Sequence, residues 1–139
     1  NPVDVILSTR HFFSQMMPGL NLFKFDTESV NQDIFHIYKR MMGDYFATKS
    51  LIPEKNLLEV RYENLTAGNM EEMSRIYKHF GFAGFKQASP LISAYAESKK
   101  GYVKNKYAIE QSLLDEILEH TDFTMKKWDY DVPENLEIK

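Results

Sequence analysis

A chain of 139 residues is about one domain's worth, long enough to bury a core and too short for two ordinary domains. Hydrophobic residues at 43% and charged residues at 27% are globular proportions that exclude wholesale disorder, and the absence of cysteine removes disulfides, thiolate nucleophiles and cysteine-ligated zinc together. The formal net charge of -3 argues against a nucleic-acid partner, and no apolar run approaches the roughly 18 residues of a membrane span, so a cytoplasmic setting is the expectation.

The first element is a helix opened by Asn1 as cap, with Pro2 at the first helical position and Asp4 placed for a capping box. Val3, Ile6, Leu7, Phe13 and Met17 form its apolar stripe, and Pro18 with Gly19 is expected to close it. A second helix, capped by Asp26 or Thr27, is written by Val30, Ile34, Ile37, Tyr38, Met41, Tyr45 and Phe46 at spacings of three and four. Gly43 weakens it by about 1 kcal/mol relative to alanine without breaking it. After Pro53, "LLEVRY" alternates Leu58, Val60 and Tyr62 against Leu57, Glu59 and Arg61, and it reads as the one clear strand.

Asn69 and Glu72 then form a capping box ahead of Met73, Ile76, Tyr77 and Phe80, with Gly81 and Phe82 as a left-handed stop and its hydrophobic contact. Ser89 and Pro90 start the next helix, which ends near Ser98. A further helix is marked by Ile109, Leu113 and Ile117, and Phe123 with Trp128 adds a last turn or two against the core. One strand among so many helices leaves backbone groups in need of flanking strands, which are expected upstream in a longer parent chain.

"SKKGYVKNKY", residues 98 to 107, stands out because it gathers four lysines around one glycine in an acidic chain. Taken alone it is a solvated loop or an anion site. Taken with "NPVDVILS", "LIPEKNLLEVRYENL", "IYKHFGF" and "MKKWDYD", it resembles, in order and spacing, the C-terminal half of the sulfotransferases that use 3'-phosphoadenosine 5'-phosphosulfate (PAPS), closest to their bacterial-type branch. The resemblance implies a P-loop-like α/β fold, of which residues 1–139 are the mostly helical C-terminal portion of a single domain. The half that carries the phosphosulfate loop, and commonly the catalytic base, is absent from it.

The family's first motif holds the cofactor's 3'-phosphate with an arginine and a serine. Ser8 stands at the serine position, and the arginine position falls immediately before Asn1. A hydroxyl near a helix N-terminus suits a phosphate oxygen, because the helix dipole favours the anion. The resemblance also places Tyr62 near the adenine, where an aromatic ring offers a stacking face and a polar tip; the alternative is a half-buried core tyrosine. Lys99, Lys100 and Gly101 resemble the basic-basic-glycine element that closes over the same phosphate, with two ammonium groups and an unobstructed backbone. Lysine at the first basic position, where the family often has arginine, gives up a bidentate grip.

The implied function is sulfuryl transfer from PAPS to a hydroxyl or amine of a small-molecule or glycan acceptor, with this segment binding the 3'-phosphoadenosine end of PAPS or of its product PAP. These residues alone are expected not to turn over, because the chain has no glycine-rich phosphate loop of its own. The rival is a non-catalytic helical interaction module with an anion-binding basic loop. His11, just after the serine motif, is the one histidine placed to belong to an active site, while His36, His79 and His120 have no metal-ligand spacing, so no metal site is expected.

Overall fold

The computed structural model describes residues 1–20, 26–66, 70–99, 101 and 105–139. In chain order it has helix α1 (Pro2–Leu20), α2 (Thr27–Thr48), two 3-10 turns (Lys49–Leu51 and Glu54–Asn56), α3 (Tyr62–Thr66), α4 (Met70–His79), α5 (Phe85–Ser98), strand β1 (Tyr107–Ile109), α6 (Gln111–Trp128) and β2 (Leu136–Ile138). The chain divides into two compact units, one formed by Asn1–Ala47 with Asn105–Lys139 and the other by Thr48–Lys104. No helix among the described residues is long and apolar enough to cross a membrane.

The first unit holds the core. Val3, Ile6 and Leu7 of α1, Ile34, Phe35 and Tyr38 of α2, Ile109 of β1, and Leu114, Ile117 and Met125 of α6 form one buried cluster. The α1 start works as the sequence implies: Asn1 Oδ1 accepts the Val3 N–H at 3.0 Å, satisfying an otherwise orphaned donor at the helix end. Asp26, not Thr27, caps α2, accepting the N–H groups of Glu28 and Ser29 at 3.2 Å each. Those bonds, with the Ser29 hydroxyl on the same carboxylate, hold the Asp26 carboxyl below its ordinary range; the Ser29 hydroxyl contributes most.

The hydroxyls inside this core are satisfied in series. Thr121 Oγ1 donates to the Ile117 carbonyl at 2.8 Å and Thr124 Oγ1 to the Thr121 carbonyl at 2.7 Å, both side chains being fully buried. A hydroxyl carries one proton, so the 2.7 Å bond between Tyr38 and Thr124 is donated by Tyr38. Burial pushes the Tyr38 phenol above its ordinary pKa, and the Thr124 hydroxyl pulls it part of the way back.

β1 and β2 pair in parallel, Tyr107 opposite Leu136 and Ile109 opposite Ile138. Their connection is α6, the usual helical crossover of a parallel pair. α6 ends on Asp129 in the left-handed conformation at φ 53°, with the Tyr130 N–H donating to the Met125 carbonyl at 2.9 Å.

In the second unit Glu72 is the one buried side chain among the described residues. Arg75 grips it with two parallel bonds, Nε at 2.8 Å and Nη2 at 2.5 Å, and Nη2 also reaches the Glu59 carbonyl at 3.0 Å. That hydrogen-bonded guanidinium is the main reason the Glu72 carboxyl lies below its ordinary range. In the same unit the Tyr77 ring meets those of Phe82 and Phe85, and Phe80 is stacked on Phe82 at 5.5 Å.

Several expectations are corrected. "LLEVRY" is not a strand: residues 57–61 lie outside regular structure and Tyr62 opens α3. A sheet ladder needs a neighbour, and here the Arg75 guanidinium takes the Glu59 carbonyl instead. The described strands are β1 and β2, which are only three residues each and too short for alternation to announce them. α1 runs through Pro18 and Gly19 to Leu20, since a proline in the last turn removes a single helical bond.

α5 begins at Phe85, four residues before Ser89, from a Gly84 at φ 84°. Pro90 sits inside it, and the Lys86 carbonyl that it leaves without a backbone donor accepts the Ser89 hydroxyl at 3.3 Å. On α2, Ile37 and Met41 are exposed and Phe35, which was not in the expected stripe, is fully buried. Asn69 of the expected capping box lies outside the described residues.

Candidate functional site

Ser8 is the seventh residue of α1, exposed, with its Oγ donating to the Val5 carbonyl at 3.1 Å. Six residues of rise put it about 9 Å along the axis from Pro2. The helix dipole acts within the first turn, so its expected help to an anion does not reach Ser8; what α1 offers there is the hydroxyl itself. Thr9 Oγ1 donates to the same Val5 carbonyl at 2.7 Å, so that carbonyl keeps a partner when the Ser8 hydroxyl turns outward.

Helical spacing sets Asp4, Ser8 and His11 in one row along α1, at i, i+4 and i+7. Both ends of the row are anchored to the β1/β2 pair. Asp4 Oδ1 accepts Asn135 Nδ2 at 3.5 Å, just before β2, and the His11 ring meets the Tyr107 ring of β1 edge to face at 6.5 Å. Asn135 Nδ2 also donates to the Asn105 carbonyl at 3.2 Å, and Asn105 Nδ2 donates to the Tyr107 hydroxyl at 3.5 Å. Ser8 therefore lies in the middle of a row with one flank, His11, against Tyr107 at the end of the lysine-rich stretch and the other, Asp4, bonded to Asn135, which also holds the Asn105 carbonyl.

The other candidates lie in the second unit. Tyr62 is the first residue of α3, with 55% of its surface exposed, so it is neither at a strand's end nor a half-buried core tyrosine. Lys99 caps the C-terminus of α5, exposed, with its Nζ 5.6 Å from the centre of the Tyr95 ring, within cation–π range. Gly101 is exposed in a turn, and a β-carbon there would meet no atom within 4 Å, so the backbone around it is open to a ligand. Lys100 lies outside the described residues.

Sequence reasoning stopped short of Asn105, Tyr107 and Asn135. The spacing of Asp4, Ser8 and His11 was visible, but nothing in the order of residues showed what faces that row, since its contacts, Asn135 on Asp4 and Tyr107 on His11, come from the far end of the chain.

A model of the sulfotransferase family matches residues 1–87, more than half of the chain. The chain belongs to the sulfotransferase family, whose chemistry is sulfuryl transfer. The matched span includes Ser8 and Tyr62 and ends before Lys99, Lys100 and Gly101. No curated protein and no solved structure matches the chain.

Proposed function

We propose that this chain is the C-terminal portion of a single PAPS-dependent sulfotransferase domain of P-loop-like α/β fold, and that it binds the 3'-phosphoadenosine end of the cofactor. Ser8 donates to the 3'-phosphate, Tyr62 lies against the adenine, and Lys99, Lys100 and Gly101 form a cationic turn over the same phosphate. The acceptor is a small molecule or glycan, activated from the N-terminal half of the same parent chain.

The observation that carries this is family membership across residues 1–87 together with an outward-facing Ser8 at the family's serine position. Exposed placement of Tyr62, Lys99 and Gly101 supports it, because each is accessible to a nucleotide. The mostly helical structure with a small parallel sheet is compatible with an α/β fold. When bound, the nucleotide supplies the sulfuryl group; the residues here hold and orient its far end, which fixes the reacting end by leverage.

Thermal shift on the full-length parent protein tests the proposal. A ligand that binds only the native state adds about 2.7 kcal/mol at 100 times its dissociation constant. Adenosine 3',5'-bisphosphate should raise the melting temperature clearly more than AMP at equal concentration. Equal shifts would remove the 3'-phosphate site and favour the rival, an interaction module with a non-selective basic loop.

A further inference from the structure

Resting on the phosphate role given to Ser8, we propose that Tyr107 is a further phosphate-binding residue, whose hydroxyl donates to the oxyanion that Ser8 serves, and that Asn105 is its positioning residue. The inference comes from the row along α1 and what is fastened to it.

The Tyr107 ring is half-buried and packs against the core of the first unit, so its position is set by apolar contact rather than by the polar surface. Its hydroxyl is the polar tip of that anchored ring. A phenol oxygen can accept and can donate. Acceptance is taken by Asn105 Nδ2 at 3.5 Å, which leaves the O–H proton to be given elsewhere, and no described residue receives it. The edge-to-face contact with His11, 6.5 Å between centroids, fixes the ring against the same row of α1 that carries Ser8 one turn away.

Charge decides which ligand suits this arrangement. The groups along this row are donors, the hydroxyls of Ser8 and Tyr107 and the exposed imidazole of His11, and with Lys106 following Asn105 they favour an oxyanion over a cation. Asp4, the one carboxylate in the row, is at its far end and accepts from Asn135 at 3.5 Å, one turn on the other side of Ser8 from His11. Its charge sits beside the helix start, where the dipole of α1 is complementary to it. The Asn135 amide serves both ends of the arrangement, donating to Asp4 and to the Asn105 carbonyl, and thereby holds Asn105 in place for Tyr107.

The test is isothermal titration of the full-length parent with adenosine 3',5'-bisphosphate and, separately, with AMP. Tyr107→Phe keeps the ring, its packing and its contact with His11 and removes only the hydroxyl. Losing one hydrogen bond to a charged acceptor should weaken the bisphosphate roughly tenfold and leave AMP unchanged. Asn105→Ala, which frees the phenol without deleting it, should weaken the bisphosphate by a smaller factor in the same ligand-selective way.

The ratio of the two affinities is the readout, because a variant that merely loosens the fold weakens both ligands alike. If the wild type prefers the bisphosphate and Tyr107→Phe retains that preference in full, the role of Tyr107 is overturned while the Ser8 site stands. If the wild type makes no distinction, the 3'-phosphate site itself fails and this inference falls with it.

Discussion

The backbone N–H of Phe82 donates to the carbonyl of Tyr77 at 2.9 Å, and the two rings meet edge to face at 5.8 Å. With the Gly81 N–H on the Lys78 carbonyl at 3.3 Å and Gly81 at φ 65°, this is a Schellman stop, closed by the apolar contact that usually accompanies it. A β-carbon on Gly81 would meet nothing within 4 Å, so the cost of Gly81→Ala is purely that of the left-handed backbone, about 1 kcal/mol. Gly43→Ala has the same open space in the middle of α2 with ordinary helical backbone and should stabilise by about 1 kcal/mol. Urea unfolding reads both; shifts of the same sign would contradict the backbone assignment.

How much was legible follows from cases of this kind. Caps and stops are local, so Asn1, Asp26 and Gly81 could be read from their own neighbours. The start of the apolar face of α1 was legible for the same reason, since a helix repeats its contacts every three or four residues, whereas of the stripe expected for the last helix only Ile117 is a buried α6 residue: Ile109 belongs to β1, and Leu114 and Met125 fill the core instead. Phe35 was missed because it lies one residue, about 100° of helix, from Ile34 of the expected stripe, and only packing with His120, stacked at 4.2 Å, selects the face. The strands were missed for the opposite reason. "LLEVRY" has every local mark of a strand and no ladder partner among the described residues, whereas "YAI" and "LEI" have no pattern and find each other across α6. For the proposed site, the family motifs nominated Ser8, and the partners around its row came only with the closed strand pair.

The buried pair in the second unit governs its acid response. Arg75 depresses the Glu72 carboxyl, so the stabilisation is fully present above the ordinary glutamate value of about 4.3 and is lost as pH falls through the lowered value of the folded state. Arg75→Met should flatten the fall in stability between about pH 4.5 and pH 3. At neutral pH it should cost about 1–2 kcal/mol, because a buried carboxylate is left short of its donors while the lost guanidinium was partly exposed. Unfolding followed at several pH values tests this, and an unchanged pH profile would show that the pair carries no such linkage.

In the core of the first unit, two substitutions separate volume from polarity. Phe35→Ala removes the largest fully buried side chain among the described residues and should cost about 3–5 kcal/mol. Tyr38→Phe removes only the donor to Thr124 and should cost about 1 kcal/mol. Denaturant midpoints order the two; a Tyr38→Phe loss as large as that of Phe35→Ala would mean that the Tyr38 hydroxyl anchors more than Thr124.

The central claim is that an early hydroxyl and a late basic turn serve one phosphate. The most direct measurement is the affinity of the full-length parent for adenosine 3',5'-bisphosphate relative to AMP, in the wild type, in Ser8→Ala and in the Lys99→Ala, Lys100→Ala double variant. The wild type should favour the bisphosphate, and each variant should lose about tenfold of that preference while binding AMP as before. Wild-type preference surviving intact in both variants would contradict the account.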